Sequence, residues 1–191
     1  DDAWAAGRRP YKIPYGASSP VGAAGYIAAM FEVVEQAPPA EVMVVASSSG
    51  GTQAGMVAGA RLAGFRGRIV GVSIDVPAER LRELVAGLAT EAASVWGERV
   101  QILPDDVEVT DRYLGAGYGV VGDLEREAIR LFARTEGVIL DPVYTARAAG
   151  GMLDMIQSGE LRADSGVLFW HTGGAPALFA YADQLNPDPS W

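Results

Sequence analysis

Cysteine is absent from this chain of 191 residues, and histidine occurs once, at His171. Without thiols there is no disulfide framework and no thiolate metal site, and one imidazole cannot build a multi-histidine metal centre. Lysine is nearly as scarce: of 15 basic residues fourteen are arginine, and Lys12 is the one lysine. The apolar runs are all broken well short of a membrane span and no signal-peptide pattern opens the chain, so a cytoplasmic setting is expected. The net charge of −9 argues against nucleic acid or an anionic membrane as partner. Any phosphate bound here must therefore be held by local groups.

What is present suits one globular domain: 49% hydrophobic and 20% charged residues, enough for a substantial core. The stretch from Glu41 to Gly59 organises the rest. A buried strand (Val42, Met43, Val44, Val45) ends in Ser47, Ser48, Ser49, Gly50, Gly51 and Thr52 and reopens as a helix. Such a turn brings several backbone N–H groups and the positive end of a helix dipole to one point. Gly50 and Gly51 allow close approach of the backbone to an anion, and the hydroxyls of Ser49 and Thr52 add donors. The Gly-Lys-Ser/Thr ending of a P-loop and the GxGxxG of a dinucleotide fold are both missing. A single phosphate is the ligand this chemistry favours; the bland alternative is a tight turn with a Ser/Thr cap and no ligand.

Along the chain, residues 1 to 9 read as the last turns of a helix, with Arg8-Arg9 near its end. Tyr11 to Tyr15, interrupted by Pro14, is expected to be an edge or linking strand. A helix follows from Val21 to about Gln36, with Tyr26, Met30, Val33 and Val34 on one side, stopped by Pro38-Pro39. Arg68 to Ile74 is a second strand, and Pro77 opens a helix over 78–96. Residues 101–118 are irregular, either a functional loop or a plain connector. Asp123 is expected to cap a helix reaching Thr135, with Leu124, Ala128, Ile129, Leu131 and Phe132 on its buried face. Val138 to Leu140 is a short strand, Thr145 opens an alanine-rich helix to about Gln157, and 166–170 is a final buried strand. A helix from Pro176 to Leu185 and a proline-rich tail complete the chain. Alternating strands and helices predict an α/β fold with a doubly wound, mostly parallel sheet.

Three turns place polar or glycine residues directly after a strand: Ser47 to Thr52, Asp141 to Thr145, and His171 to Gly174. In a parallel sheet, ligands sit outside the carboxyl ends of the strands, so these turns are expected to converge on one crevice. Tyr118 and Tyr144 are the candidate catalytic residues, since a phenol at a crevice rim can stack on a planar ligand and exchange a proton. Half-buried packing with the hydroxyl in water is the competing reading for both. His171 reads as structural, and Asp105, Asp106 and Asp111 as solvated loop acids rather than a metal cluster.

The motifs taken together resemble the fold type II pyridoxal-phosphate enzymes, tryptophan synthase β-like in fold. The branch is that of D-cysteine desulfhydrase and 1-aminocyclopropane-1-carboxylate deaminase. The resemblance is carried by Ile13-Pro14-Tyr15-Gly16-Ala17-Ser18-Ser19-Pro20, Ser49-Gly50-Gly51-Thr52-Gln53-Ala54-Gly55, Gly117-Tyr118-Gly119, Leu140-Asp141-Pro142-Val143-Tyr144-Thr145 and His171-Thr172-Gly173-Gly174-Ala175-Pro176-Ala177-Leu178. It implies that pyridoxal 5'-phosphate is the cofactor, with Ser49, Gly50, Gly51 and Thr52 around its phosphate. Thr172 and Gly173, with Thr145, are then cofactor-binding, and Tyr118 and Tyr144 face the substrate. Where the deaminase carries Glu after the site tyrosine and Leu in the His-Thr-Gly-Gly position, this chain has Thr145 and Thr172, as the desulfhydrase does. Where the family usually has Pro-Asn after Gly-Tyr-Gly-x, this chain has Val121-Gly122.

A neutral hydroxyl at the ring nitrogen suits α-proton removal followed by β-elimination of a good leaving group. The resemblance thus implies elimination from a small amino acid, D-cysteine above all, giving pyruvate, ammonia and sulfide. Aminocyclopropane carboxylate deamination and cysteate lysis are the alternatives, and a non-catalytic phosphate-ligand module is the alternative from another class. The family tethers its cofactor to a lysine upstream of every motif found here, and Lys12 matches no such position. The 191 residues are therefore expected to be the C-terminal portion of a longer enzyme, inactive alone, with residues 1–20 linking to the missing part and 21–191 forming the cofactor-binding domain. A homodimer is the expected assembly.

Overall fold

The computed structural model describes residues 2–37, 40–162 and 164–185. Four parallel strands form one sheet: β1 (Val42–Ser47), β2 (Arg68–Ser73), β3 (Glu108–Thr110) and β4 (Val167–Trp170), in the order β3-β2-β1-β4. β1 pairs with β2 in the register Val42 to Arg68, and with β4 in the register Val42 to Val167. The chain runs outward from β1 through β2 to β3 and then returns to the other side of β1. The sheet order thus reverses between β1 and β4, which is where open parallel sheets hold their ligands.

Alternate residues of β1 serve opposite faces, as the two-residue period of a strand requires. Met43 and Val45 join a core with three helices, α2 (Pro20–Gln36), α3 (Gly51–Ala63) and α4 (Ala78–Trp96), which pack on one another. Val42 and Val44 join a second core with α6 (Thr145–Gln157), which is flanked by α5 (Asp123–Thr135). Helices on both faces make the sheet doubly wound, as the alternation of elements implies.

α2 begins where the sequence provides a cap: Ser19 accepts a hydrogen bond from the Gly22 N–H at 3.1 Å, with Pro20 in the first turn. Its buried face is Ala23, Ile27 and Met30, with Tyr26 and Val33 half-buried against the same core, while Val34, on that face one turn beyond Met30, is exposed. α3 is built of small residues because it is enclosed by α2, α4 and the sheet; a Cβ on Gly59 would sit 2.7 Å from the Met30 Cβ and 3.0 Å from the Ile27 Cα.

Several boundaries differ from expectation for local reasons. The first helix, α1, covers Asp2–Ala5 only, and Gly7 with φ of 69° ends its turn before Arg8. Residues 11–14 join no sheet, and Tyr15–Ala17 forms a 3-10 turn. Val138 to Leu140 is not a strand: the Val138 N–H turns back to the Phe132 carbonyl and closes α5 instead of entering a ladder. α5 is capped by Gly122, whose N–H donates to Glu125 at 2.8 Å, and not by Asp123. β3, three residues inside the irregular segment, shows no periodicity from which to read it. Asp111 is more than a solvated acid, since it accepts the Ala78 N–H at the start of α4. The final helix is mostly 3-10, over Ala175–Tyr181, with α7 (Ala182–Leu185) behind it. The expected stop at Pro38-Pro39 and the proline-rich tail lie outside the described residues.

The tightness between α2 and α3 is testable. Gly59→Ala adds helix propensity of about 1 kcal/mol, yet its methyl meets rigid neighbours. The expected net result is a loss of roughly 1–2 kcal/mol from overpacking, read as a lowered urea midpoint with unchanged slope.

Candidate functional site

The three turns expected to converge do so. A crevice of about 310 Å³ is lined by Ser47 to Thr52 after β1, by Asp141 and Tyr144, and by Thr172 to Gly174 after β4. Tyr15 and Gly16, from before α2, form its remaining wall.

The β1–α3 turn supplies its polar floor. Gly50 has φ of 81°, a left-handed conformation that turns the chain from strand into helix, and it caps α3. The N–H groups of the first turn of α3 have no partner within the helix, and they point outward with the positive end of its dipole. One of them, on Gly51, donates to the Ser18 hydroxyl at 3.1 Å, and Ser18 in turn donates to Ser49 Oγ at 2.7 Å. Cβ atoms built on Gly16 and on Gly51 would collide with Ser49 and Ser18 respectively, so the two segments meet here at backbone distance. The hydroxyls of Ser47 and Ser48 are buried and have no hydrogen-bond partner among the described residues. Buried unpartnered hydroxyls are costly unless a ligand or water engages them, and here they line a crevice.

The turn after residue 140 is rigid. Asp141, 2% exposed, accepts at one oxygen from the Val143 and Tyr144 N–H groups, both at 2.9 Å. Its other oxygen accepts from the Thr145 N–H at 2.7 Å and the Thr145 hydroxyl at 2.8 Å. The Asp141 N–H donates back to Thr145 Oγ1. Four donors satisfy this carboxylate, the one carboxylate among the described residues lining the crevice, so its charge does not repel an anion at full strength. Gly174, with φ of 104°, packs its backbone on Asp141, where a Cβ would lie 2.7 Å away, and thereby locks the third turn to the second.

His171 braces that third turn. Its Nδ1 accepts from the Gly173 N–H at 2.9 Å, which leaves the ring proton on Nε2 to donate to the Ile139 carbonyl at 3.0 Å.

Two tyrosines face each other at the rim. The hydroxyls of Tyr118 and Tyr144 are 2.6 Å apart, with the rings edge to face at 5.9 Å and 78°. Burial raises the Tyr144 pKa well above the ordinary phenol value, and the bond to Tyr118 and the neighbouring Tyr15 push it in the same direction. Tyr144 is thus a neutral hydroxyl donor throughout the physiological range.

Of the residues read as candidates, Ser49, Gly50, Gly51, Thr52, Tyr144, Thr172 and Gly173 line the crevice, and Tyr118 reaches it through Tyr144. Thr145 does not: it is fully buried and its hydroxyl is committed to Asp141, so it holds the turn. Lys12, the one lysine, is exposed and lies outside the lining. Sequence reasoning missed Ser18, Tyr15 and the role of Asp141. All three stand in the motifs already singled out, but only the fold shows which of their side chains turn inward.

A model of the family described as pyridoxal-phosphate dependent enzyme matches residues 2–173. The chain is 42% identical over 183 residues to a 1-aminocyclopropane-1-carboxylate deaminase of Burkholderia vietnamiensis, covering 93% of this chain and 54% of that protein. It is 40% identical over 180 residues to a D-cysteine desulfhydrase of Salmonella typhi, with the same coverage of 93% and 54%. A solved structure of an ACC deaminase homologue superposes with a TM-score of 0.88 at 36% identity, covering 97% of this chain and 56% of that one. The chain therefore spans about half the length of the curated relatives it matches.

The raised Tyr144 pKa has a stability consequence. The folded state keeps the proton where the unfolded chain has lost it, so this contribution is complete below about pH 10 and falls as pH rises further. Urea unfolding at a series of pH values is expected to show the wild type losing stability above about pH 10 more steeply than Tyr144→Phe.

Proposed function

The chain belongs to the pyridoxal-phosphate dependent enzymes, and we propose that it forms the cofactor-binding domain of a lyase acting on a small amino acid, D-cysteine first. The observation that carries this reading is the meeting of the turns after β1, after residue 140 and after β4 around a floor of helix N–H groups and two buried serine hydroxyls with no partner among the described residues. Among the described residues no arginine or lysine lines the crevice, so a phosphate there would be held by backbone N–H groups, by Ser49 and Thr52, and by the dipole of α3.

Pyridoxal phosphate would fit this donor set: the α3 N-terminus with Ser49 and Thr52 would hold its phosphate, and Thr172 would offer a hydroxyl to its ring nitrogen. When bound, it supplies an electron sink that makes the substrate α-proton removable. The protein's own groups orient the substrate and handle protons. A neutral Thr172 hydroxyl at the ring nitrogen would suit elimination of a good leaving group better than opening of a strained ring. Tyr144, neutral and hydrogen-bonded to Tyr118, can donate at the substrate side, and Tyr118 can restore its proton from the rim.

Elimination from D-cysteine then yields sulfide, pyruvate and ammonia with uptake of one water. The tethering amine of this reading comes from outside the 191 residues, since Lys12 is not at the crevice, and the isolated chain is expected to have no turnover. A cytoplasmic homodimer completes the proposal.

The test is a side-by-side assay of the parent-length enzyme with D-cysteine, L-cysteate and aminocyclopropane carboxylate. D-Cysteine is expected to give the highest kcat/KM. Faster turnover of aminocyclopropane carboxylate would reverse the assignment of substrate. Tyr144→Phe in that enzyme is expected to lower kcat by about 10²-fold or more, with a much smaller change in KM.

A further inference from the structure

Arg147 is 1% exposed, yet nothing in the proposed chemistry touches it. Its guanidinium donates from Nε to Glu125 at 2.7 Å, from Nη1 to the carbonyls of Ile74 at 2.9 Å and Gly117 at 3.2 Å, and from Nη2 to the Val120 carbonyl at 2.9 Å. Glu125, 3% exposed, uses its second oxygen to accept the Gly122 N–H. One buried ion pair thus grips the loop at Gly117, Val120 and Gly122, and Tyr118 lies between the first two grips.

Besides these grips the loop is held by two turn hydrogen bonds, Gly117 N–H to the Leu114 carbonyl at 3.2 Å and Val120 N–H to the Gly117 carbonyl at 3.3 Å, and by Arg126 at the Val121 carbonyl; Arg147 contributes two of the loop's carbonyl anchors. Gly117 and Gly119, on either side of Tyr118, have φ of 124° and 72°, and Tyr118 itself is 52% exposed. Glycines in these conformations leave the backbone many alternatives in the absence of an external constraint. Arg147 also stands one turn along α6 from Tyr144, at the start of that helix. The same first turn therefore carries one tyrosine and clamps the loop that carries the other.

Stability alone is a poor reason for such a pair. A buried ion pair is commonly no more stabilising than apolar residues of similar size, because desolvating both charges offsets their attraction. The planar fork of arginine, in contrast, is suited to holding several carbonyls in fixed directions at once.

We propose that Arg147, held by Glu125, is a positioning residue that sets the Tyr118 hydroxyl at hydrogen-bonding distance from Tyr144. The geometric claim stands on the clamp alone. Its relevance to turnover rests on the reading of the two tyrosines given above.

The decisive variant is the double substitution Glu125→Gln with Arg147→Met, which removes both buried charges together and keeps an acceptor for the Gly122 N–H. Hydrogen exchange of backbone amides is the first readout. Exchange over residues 118–122 is expected to rise about tenfold, as loss of charge-assisted bonds implies, while amides of α5 and α6 keep their protection. In a phenolate titration, Tyr144 is expected to ionise at lower pH both in this variant and in Tyr118→Phe, and combining the changes is expected to add nothing. Arg147→Lys, which keeps the charge and loses the fork, is expected to free the loop likewise and serves should the double variant not fold.

Unchanged exchange in the loop, an equal rise in α5 and α6, or full additivity with Tyr118→Phe would each overturn the proposal. Pyridoxal phosphate binding at the β1–α3 turn is expected to be unaffected by the double variant. Failure of the wild-type protein to bind it would count against the proposed function while leaving the loop measurement intact.

Discussion

β1 is hydrogen-bonded on both edges, to β2 and to β4, and is buried on both faces between two layers of helices. This double pairing fixes where its carboxyl end points, and with it the position of Ser47 to Gly51. It also brings β4, the last strand in sequence, beside a strand more than a hundred residues earlier. The turns after β1 and β4 become neighbours only through that ladder. A shift of one residue in either register would turn every side chain of the strand to the other face, burying the wrong ones.

Around this frame the crevice is built by saturating some polar groups and leaving others open. Asp141 has every oxygen engaged, Thr145 answers it in both directions, and His171 ties the last turn to residue 139. Against these closed networks, the unpartnered hydroxyls of Ser47 and Ser48 stand out. The site thus combines rigid walls with open donors, the arrangement expected of a ligand cradle whose shape precedes its ligand. An acidic protein can hold an anion in this way because the attraction comes from helix and backbone dipoles and not from its net charge.

The elements that sequence alone made legible were those with a strong local signal. β1 and β2 are continuous apolar runs, α2 starts at a Ser-Pro cap, and α6 starts at Thr145 as the Asp-Pro turn suggests. β3 was not legible because three residues carry no period, and its edge position comes from pairing with β2. Val138 to Leu140 has the composition of a strand, but its first N–H closes the preceding helix. The same limit applies to the site. The glycines and serines of the cradle announce themselves, whereas Thr145 sits one residue after a crevice tyrosine and turns inward. Ser18 enters through long-range packing that no local pattern encodes.

The central claim is that the turns after β1 and β4 form one site for a phosphorylated planar ring. Its most direct measurement is a titration of the nitrogen-15-labelled protein with pyridoxal 5'-phosphate, followed through backbone amide resonances. The account predicts that the amides of Ser48 to Thr52 and of Thr172 to Gly174 shift together along one binding curve. Pyridoxal lacking the phosphate is predicted to leave the first group in place. Movement of only one group, or of neither, would contradict it.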